Sequence, residues 1–195
     1  MTIENLLDAL KSSSAVRFKS TSPVDADELI DAITPPFGEI SWAPPPSYRA
    51  ALAKEGAVAA HRLHPATESW VGFKLLGAHE IGETNESLVH MPEGVSRDEG
   101  VYLSTNHLVG FAEAGYEAVF CFDVSAPGPE YPVYYHHQDE PRAKILATGA
   151  WETEDDSQPD FPSFTAWLTA MTEALTAEEM PAWVERLGQP HLRFG

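Results

Sequence analysis

Residues 118–123, AVFCFD, lead through a turn segment at 126–130, APGPE, into an aromatic run at 131–135, YPVYY. The apolar residues Val119 to Phe122 are unbroken, as a central strand covered on both faces requires. Proline and glycine at 127–129 reverse the chain, so the two runs are expected to pair antiparallel. Asp123, at the strand's end, is placed to accept turn hydrogen bonds. Outward from this pair, 101–103, 108–112 and 145–147 are also short and apolar, with Gly, Pro or Asn between them. They read as further strands.

Helical periodicity brackets these strands. Ile3, Leu6, Leu7 and Leu10 follow i, i+3, i+4, i+7 spacing behind Thr2, a good N-cap, and a short strand is expected over 15–19. Asp25 with Glu28 forms a capping-box variant before Ala26, Leu29, Ile30 and Ile33, and Pro35-Pro36 stops that helix. Pro46 suits the first turn of a helix that puts Tyr48, Ala51, Leu52 and Glu55 on one face and ends at Gly56. Residues 57–100 show no clear period. The strongest helix lies near the end, with Phe164, Trp167, Leu168, Met171 and Leu175 on one face and Asp160 as its expected cap. A shorter helix is expected behind a Thr176/Glu179 capping box, with Met180, Trp183, Val184 and Leu187 aligned and Gly188 closing it. No internal repeat points to a solenoid or propeller.

The chain has 195 residues, 43% of them hydrophobic, including nine Phe, six Tyr and five Trp, so it can bury a substantial core. Sixteen prolines argue against a helical bundle. Thirty acidic residues against twelve basic ones give a formal net charge of −18, which repels nucleic acid and anionic membranes. Such a charge either serves solubility or selects a basic protein partner. One cysteine excludes an internal disulfide framework, and neither a signal peptide nor an apolar run of about 20 residues is visible, so a cytoplasmic protein is expected.

The order of elements, helices first, then a strand meander, then a helix after an acidic loop, resembles the SMI1/KNR4 family of the SUKH superfamily. Three anchors carry the resemblance. Ala43-Pro44-Pro45-Pro46-Ser47-Tyr48-Arg49 through Gly56 matches the family's proline pair and tyrosine-containing helix. Val119-Phe120-Cys121-Phe122-Asp123 with Pro132-Val133-Tyr134-Tyr135 matches its strand pair, and Ser163-Phe164-Thr165-Ala166-Trp167-Leu168 its closing helix. The resemblance covers roughly residues 25–175 and departs where the family often has Asn-Gly-Gly and this chain has Glu55-Gly56-Ala57. It implies an α+β fold, a mostly antiparallel sheet of about five or six strands packed against helices. It also implies non-enzymatic, cytoplasmic protein-binding domains, many of them immunity proteins that neutralise bacterial toxins such as nucleases. Residues 1–22 are then an N-terminal extension of helix plus linker, and 23–195 the SMI1/KNR4-like domain.

Catalytic candidates are few. Cys121 could act as a nucleophile with His136 or His137 as base, but a cysteine between Phe120 and Phe122 in a central strand behaves as a small hydrophobe. His136 and His137, with Asp139 and Glu140, have metal-ligand chemistry, yet adjacent residues on a strand point to opposite faces. His61 and His64 lack a carboxylate motif nearby. No G-x-S-x-G, P-loop, dinucleotide-binding, H-E-x-x-H or paired C-x-x-C pattern occurs, and no catalytic residue, metal or cofactor is assigned. The acidic run Glu152, Glu154, Asp155, Asp156 and Asp160, flanked by Trp151 and Phe161, is either a solvated loop with a helix cap or an anionic patch. As a patch it would mimic phosphate toward a basic groove, with Trp151 as an anchor. Two alternatives to toxin neutralisation stay open: a regulatory or scaffolding member of the same fold, and a small hydrolase using His136, His137 and the nearby acids.

Overall fold

The computed structural model describes residues 1–29, 42–88, 103–104, 107–115, 117–126, 128–140, 142, 144–145, 150–151 and 153–194. The apolar run forms β6 (Ala118–Asp123), and the aromatic run leads into β7 (Val133–His137). They pair antiparallel, with Phe120 opposite Tyr135 and Cys121 opposite Tyr134. Asp123 closes the strand as expected, its carboxylate accepting from the Ser125 amide at 3.0 Å.

Around this pair stand β1 (Val16–Ser20), β2 (Val58–Leu63), β3 (Trp70–Leu75) and β5 (Leu108–Glu113), giving one six-stranded sheet in the order β1-β2-β3-β5-β6-β7. Each neighbouring pair is antiparallel. A second, three-stranded sheet joins β4 (Leu103–Ser104), β8 (Lys144–Ile145) and β9 (Ala150–Trp151). The helices are α1 (Ile3–Ser12), α2 (Pro46–Glu55), α3 (Ala78–Ser87) and α4 (Phe164–Thr176). This is the anticipated α+β architecture.

One face of the large sheet packs on helices. Phe73, Phe111, Phe120 and Phe122 meet Phe164 and Trp167 of α4. The Phe111 and Phe122 rings stack at 4.1 Å, and Trp167 lies 4.9 Å from Phe73 and 5.0 Å from Phe111. Each buried aromatic contributes about 1.5–3 kcal/mol by area, and such ring pairs add about 1 kcal/mol. Ile3, Leu6, Leu7 and Leu10 of α1 enter the same core, and β1 is an edge strand of the same sheet. The segment read as an extension therefore contributes to the main layers.

Local signals explain most helix ends. Thr2 caps α1, and Gly56 ends α2 at φ +65°, where a Cβ would stand 2.1 Å from the Ser22 carbonyl oxygen. Arg62 reaches from β2 to donate to the Leu175, Ala177 and Glu178 carbonyls at the end of α4, a cation at a helix C-terminus.

Three expectations need correction. The N-cap of α4 is Ser163, whose hydroxyl oxygen accepts from the Ala166 amide at 3.2 Å; Asp160 lies upstream and is used otherwise. The Thr176/Glu179 box does not form. Thr176 is the last residue of α4, its hydroxyl donating to the Thr172 carbonyl at 2.7 Å, and a 3₁₀ turn at Ala182–Arg186 follows Pro181. Proline lacks an amide proton and pushes Met180 out of helical geometry, so no helix runs through from 176. Asp25 does cap, accepting from the Asp27 amide at 3.0 Å, but the turn it heads over Ala26–Leu29 is 3₁₀ rather than α. The rest of that expected helix, from Ile30 to Pro36, lies outside the described residues, as do 101–102 and 146–147 of the expected strands.

The other face of the sheet is divided. Behind β5–β7 sits a small second core of Leu88, Leu108, Val119, Cys121 and Tyr134, with Trp151 packed against it. Behind β1–β3 the face carries Arg17, Lys19, His61, Leu63 and Trp70, and it is open.

Candidate functional site

Strand register places the sequence's catalytic candidates. Tyr134 and His136 of β7 pair with Cys121 and Val119 and share their face of the sheet, while His137 pairs with Ala118 on the other face. The adjacent histidines thus diverge, as strand geometry requires. Cys121 is fully buried and free, its thiol donates to the Val119 carbonyl at 3.8 Å, and burial pushes its pKa up. A reactive cysteine needs an exposed, electropositive setting that favours the thiolate, and this one is held as the neutral thiol.

Glu117, His137 and Asp139 bring ligand-type atoms within 4.8 Å of one another. His137 Nδ1, however, accepts the Asp139 amide at 3.1 Å. In a neutral imidazole that leaves the proton on Nε2, the wrong form for a metal bond there. Glu140 does not join the group. It binds His191 and approaches Arg193 at 3.7 Å instead. His64 is buried and pairs with Glu185 at 2.7 Å, a structural contact between β2 and the C-terminal 3₁₀ turn.

The acidic run is split by the fold. Glu154, Asp155 and Asp156 lie at a 3₁₀ turn over Asp155–Ser157, with Glu154 and Asp155 exposed and the Asp156 side chain partly covered near Arg193 at 3.9 Å. Asp160 is instead enclosed. Its side chain is 3% exposed and meets Arg142, itself 2% exposed, at 3.1 Å. It also accepts the Tyr135 amide at 2.7 Å. Phe161, expected as a flanking aromatic on the surface, is buried in the main core. Glu152 lies outside the described residues.

Asp160 and Arg142 act as a mount for the exposed acids. The Arg142 guanidinium donates to the Gln158 carbonyl at 3.0 Å and lies over the Tyr134 ring at 5.3 Å. The Tyr134 hydroxyl donates to the Ser157 carbonyl at 3.0 Å, and the Trp151 ring packs against the same ring, tilted by 36° at 4.7 Å. Within the turn, the Ser157 hydroxyl donates to the Glu154 carbonyl at 2.6 Å, and the Thr153 hydroxyl oxygen accepts the Asp156 amide at 3.1 Å. A loop tied at this many points holds its carboxylates in place, with less conformational freedom than an untethered turn.

A second surface was not anticipated. On the open face of β1–β3, Leu63 and Trp70 are cross-strand neighbours, 45% and 52% exposed. Arg17 lies over the Trp70 ring at 5.6 Å. Arg17, Lys19, Ala59, His61 and Trp70 line a cavity of about 340 Å³. The sequence signal was the alternation in 16–19: Val16 and Phe18 turn inward, so Arg17 and Lys19 must share the outer face.

Among the described residues no helix is long and apolar enough to cross a membrane. A family model described as the SMI1 / KNR4 family (SUKH-1) matches residues 39–170, about two thirds of the chain. No curated protein and no solved structure matches it.

Proposed function

Because the chain belongs to the SMI1 / KNR4 family (SUKH-1), we propose that it is a non-enzymatic binding protein that neutralises a cognate bacterial toxin by covering it. The observation that carries this reading is the tethered acidic turn, with Glu154 and Asp155 exposed, Asp156 beside them and Trp151 at its edge. An anionic ledge on a protein of net charge −18 suits a basic partner, such as the phosphate-binding groove of a nuclease-type toxin. The buried, neutral Cys121 and the projection of the buried His136 and His137 to opposite faces of the sheet weigh against a hydrolytic role for those residues. Action in the cytoplasm is consistent with a lone buried thiol and no disulfide.

Titration of a candidate nuclease-type toxin with this protein tests the proposal. A binder that occludes its target should abolish toxin activity at a sharp one-to-one endpoint. Inactivation by a small fraction of an equivalent, growing with time, would mean turnover and would overturn the non-enzymatic reading.

A further inference from the structure

Arg17 and Lys19 stand apart from the other cations of this chain. Of the other lysines and arginines, Lys11, Arg49, Lys54, Arg62, Lys74, Arg142, Arg186 and Arg193 are each held by a carboxylate or by a main-chain carbonyl. Arg17 and Lys19 have neither, although the chain carries thirty acids against twelve bases. Chance placement in so acidic a protein would give them carboxylate neighbours. They also flank the largest exposed hydrophobic groups described, other than Met1: Trp70 and, across the β2–β3 pair, Leu63.

We propose that the open face of β1–β3 is a docking site for an acidic, extended segment of a protein partner. Its carboxylates pair with Arg17 and Lys19, and an apolar side chain lies across Trp70 and Leu63. The site has opposite sign to the turn at 154–156 and does not rest on the role given to that turn.

Three features fit this occupant. Stacking on Trp70 restrains the Arg17 guanidinium, so less entropy is lost when it binds a carboxylate. The cavity beside it, about 340 Å³ and floored by Ala59, has room for one or two side chains. β1 is an edge strand, so an extended chain reaches both cations without entering the sheet. Lys74 adds no free charge, since Glu80 and Glu113 hold it. Charge decides between classes of anion. A nucleic acid spreads phosphates well beyond two cations and would meet the repulsion of a −18 protein, whereas a short acidic segment ends where the cations end.

The test uses the full chain and a fluorescein-labelled peptide of aspartate–glutamate pairs separated by single leucines, followed by anisotropy at low salt. Saturable binding is expected, with amide shifts confined to β1–β3. Arg17→Glu/Lys19→Glu should weaken it by about tenfold or more, and Trp70→Ala by a smaller factor. Glu154→Gln/Asp155→Asn/Asp156→Asn should not weaken it, which separates this site from the acidic turn. These side chains are exposed, and glutamates on the edge strand guard against strand pairing as well as the native cations do, so the variants should fold. The proposal is overturned if the charge-reversed variant binds the peptide equally well, or if the Asn/Gln version of the peptide binds as tightly. Tighter binding of a single-stranded oligonucleotide would also sink it. So would self-association of the wild-type chain, seen by sedimentation and abolished by Arg17→Glu/Lys19→Glu.

Discussion

Arg142 and Asp160 form a buried ion pair, and its energetics follow from what each would do alone. Burial pushes the Asp160 carboxyl up and the Arg142 guanidinium down, and each opposes that drift in the other. Removing one partner leaves a buried charge without compensation, at a cost of about 3–5 kcal/mol, whereas removing both costs far less. Arg142→Met should therefore lower the urea midpoint strongly, and Arg142→Met/Asp160→Asn should recover much of the loss. Equal destabilisation by single and double variants would contradict this coupling. In the sequence Asp160 reads either as a helix cap or as one more acid of an anionic patch, and neither reading gives it a buried partner. Its partner lies 18 residues away in sequence, and pairings at that separation leave no periodic trace. Cys121 and Asp123 were legible because strand context alone fixes their environment.

At the scale of elements, Lys11 of α1, Ser20 of β1 and Glu55 of α2 meet at one carboxylate, with contacts of 2.9 Å from each donor. Burial raises the Glu55 pKa, but the Lys11 ammonium and Ser20 hydroxyl outweigh it and hold the group below its usual 4.5. A lowered folded-state pKa stabilises above the unfolded value and loses that stabilisation as pH falls through the folded value. Glu55→Gln should thus cost about 1–3 kcal/mol at neutral pH. The difference from wild type should shrink below pH 4.5. A difference constant from neutral pH to acid would show that the charge does not matter. The helices α1, α2 and α4 and the strands β5–β7 were legible because their apolar spacing is regular. α3 was not, since Ile81 is the one buried large apolar residue in its Ala-His-Glu-Ile-Gly-Glu sequence. β2 and β3 were hidden because one of their faces is open, so polar and apolar residues mix without a full alternation. Asn85 shows another long-range device: its amide donates to and accepts from Gly110 at 3.0 and 2.8 Å, where the β5–β6 register shifts.

Across the whole molecule, α1 and β1 are built into the layers that hold the family-matched residues. Burying Ile3, Leu6, Leu7 and Leu10 contributes about 2 kcal/mol each, a sum comparable to the net stability of a domain. The fold then displays two surfaces of opposite sign, the acidic turn at 154–156 and the cationic, aromatic face of β1–β3. Net charge was plain in the sequence, but its sorting was not, because Arg17 and Trp70 meet only through the pairing of β1, β2 and β3. Long-range attraction to the basic toxin proposed as partner would act on the encounter rate and be screened by salt. The most direct measurement is the association rate constant with that toxin as ionic strength rises, for wild type and for Glu154→Gln/Asp155→Asn/Asp156→Asn. A steep fall is expected for wild type, and for the variant a rate about tenfold lower at low salt with a flatter salt dependence. Equal rates and equal slopes for the two proteins would contradict it.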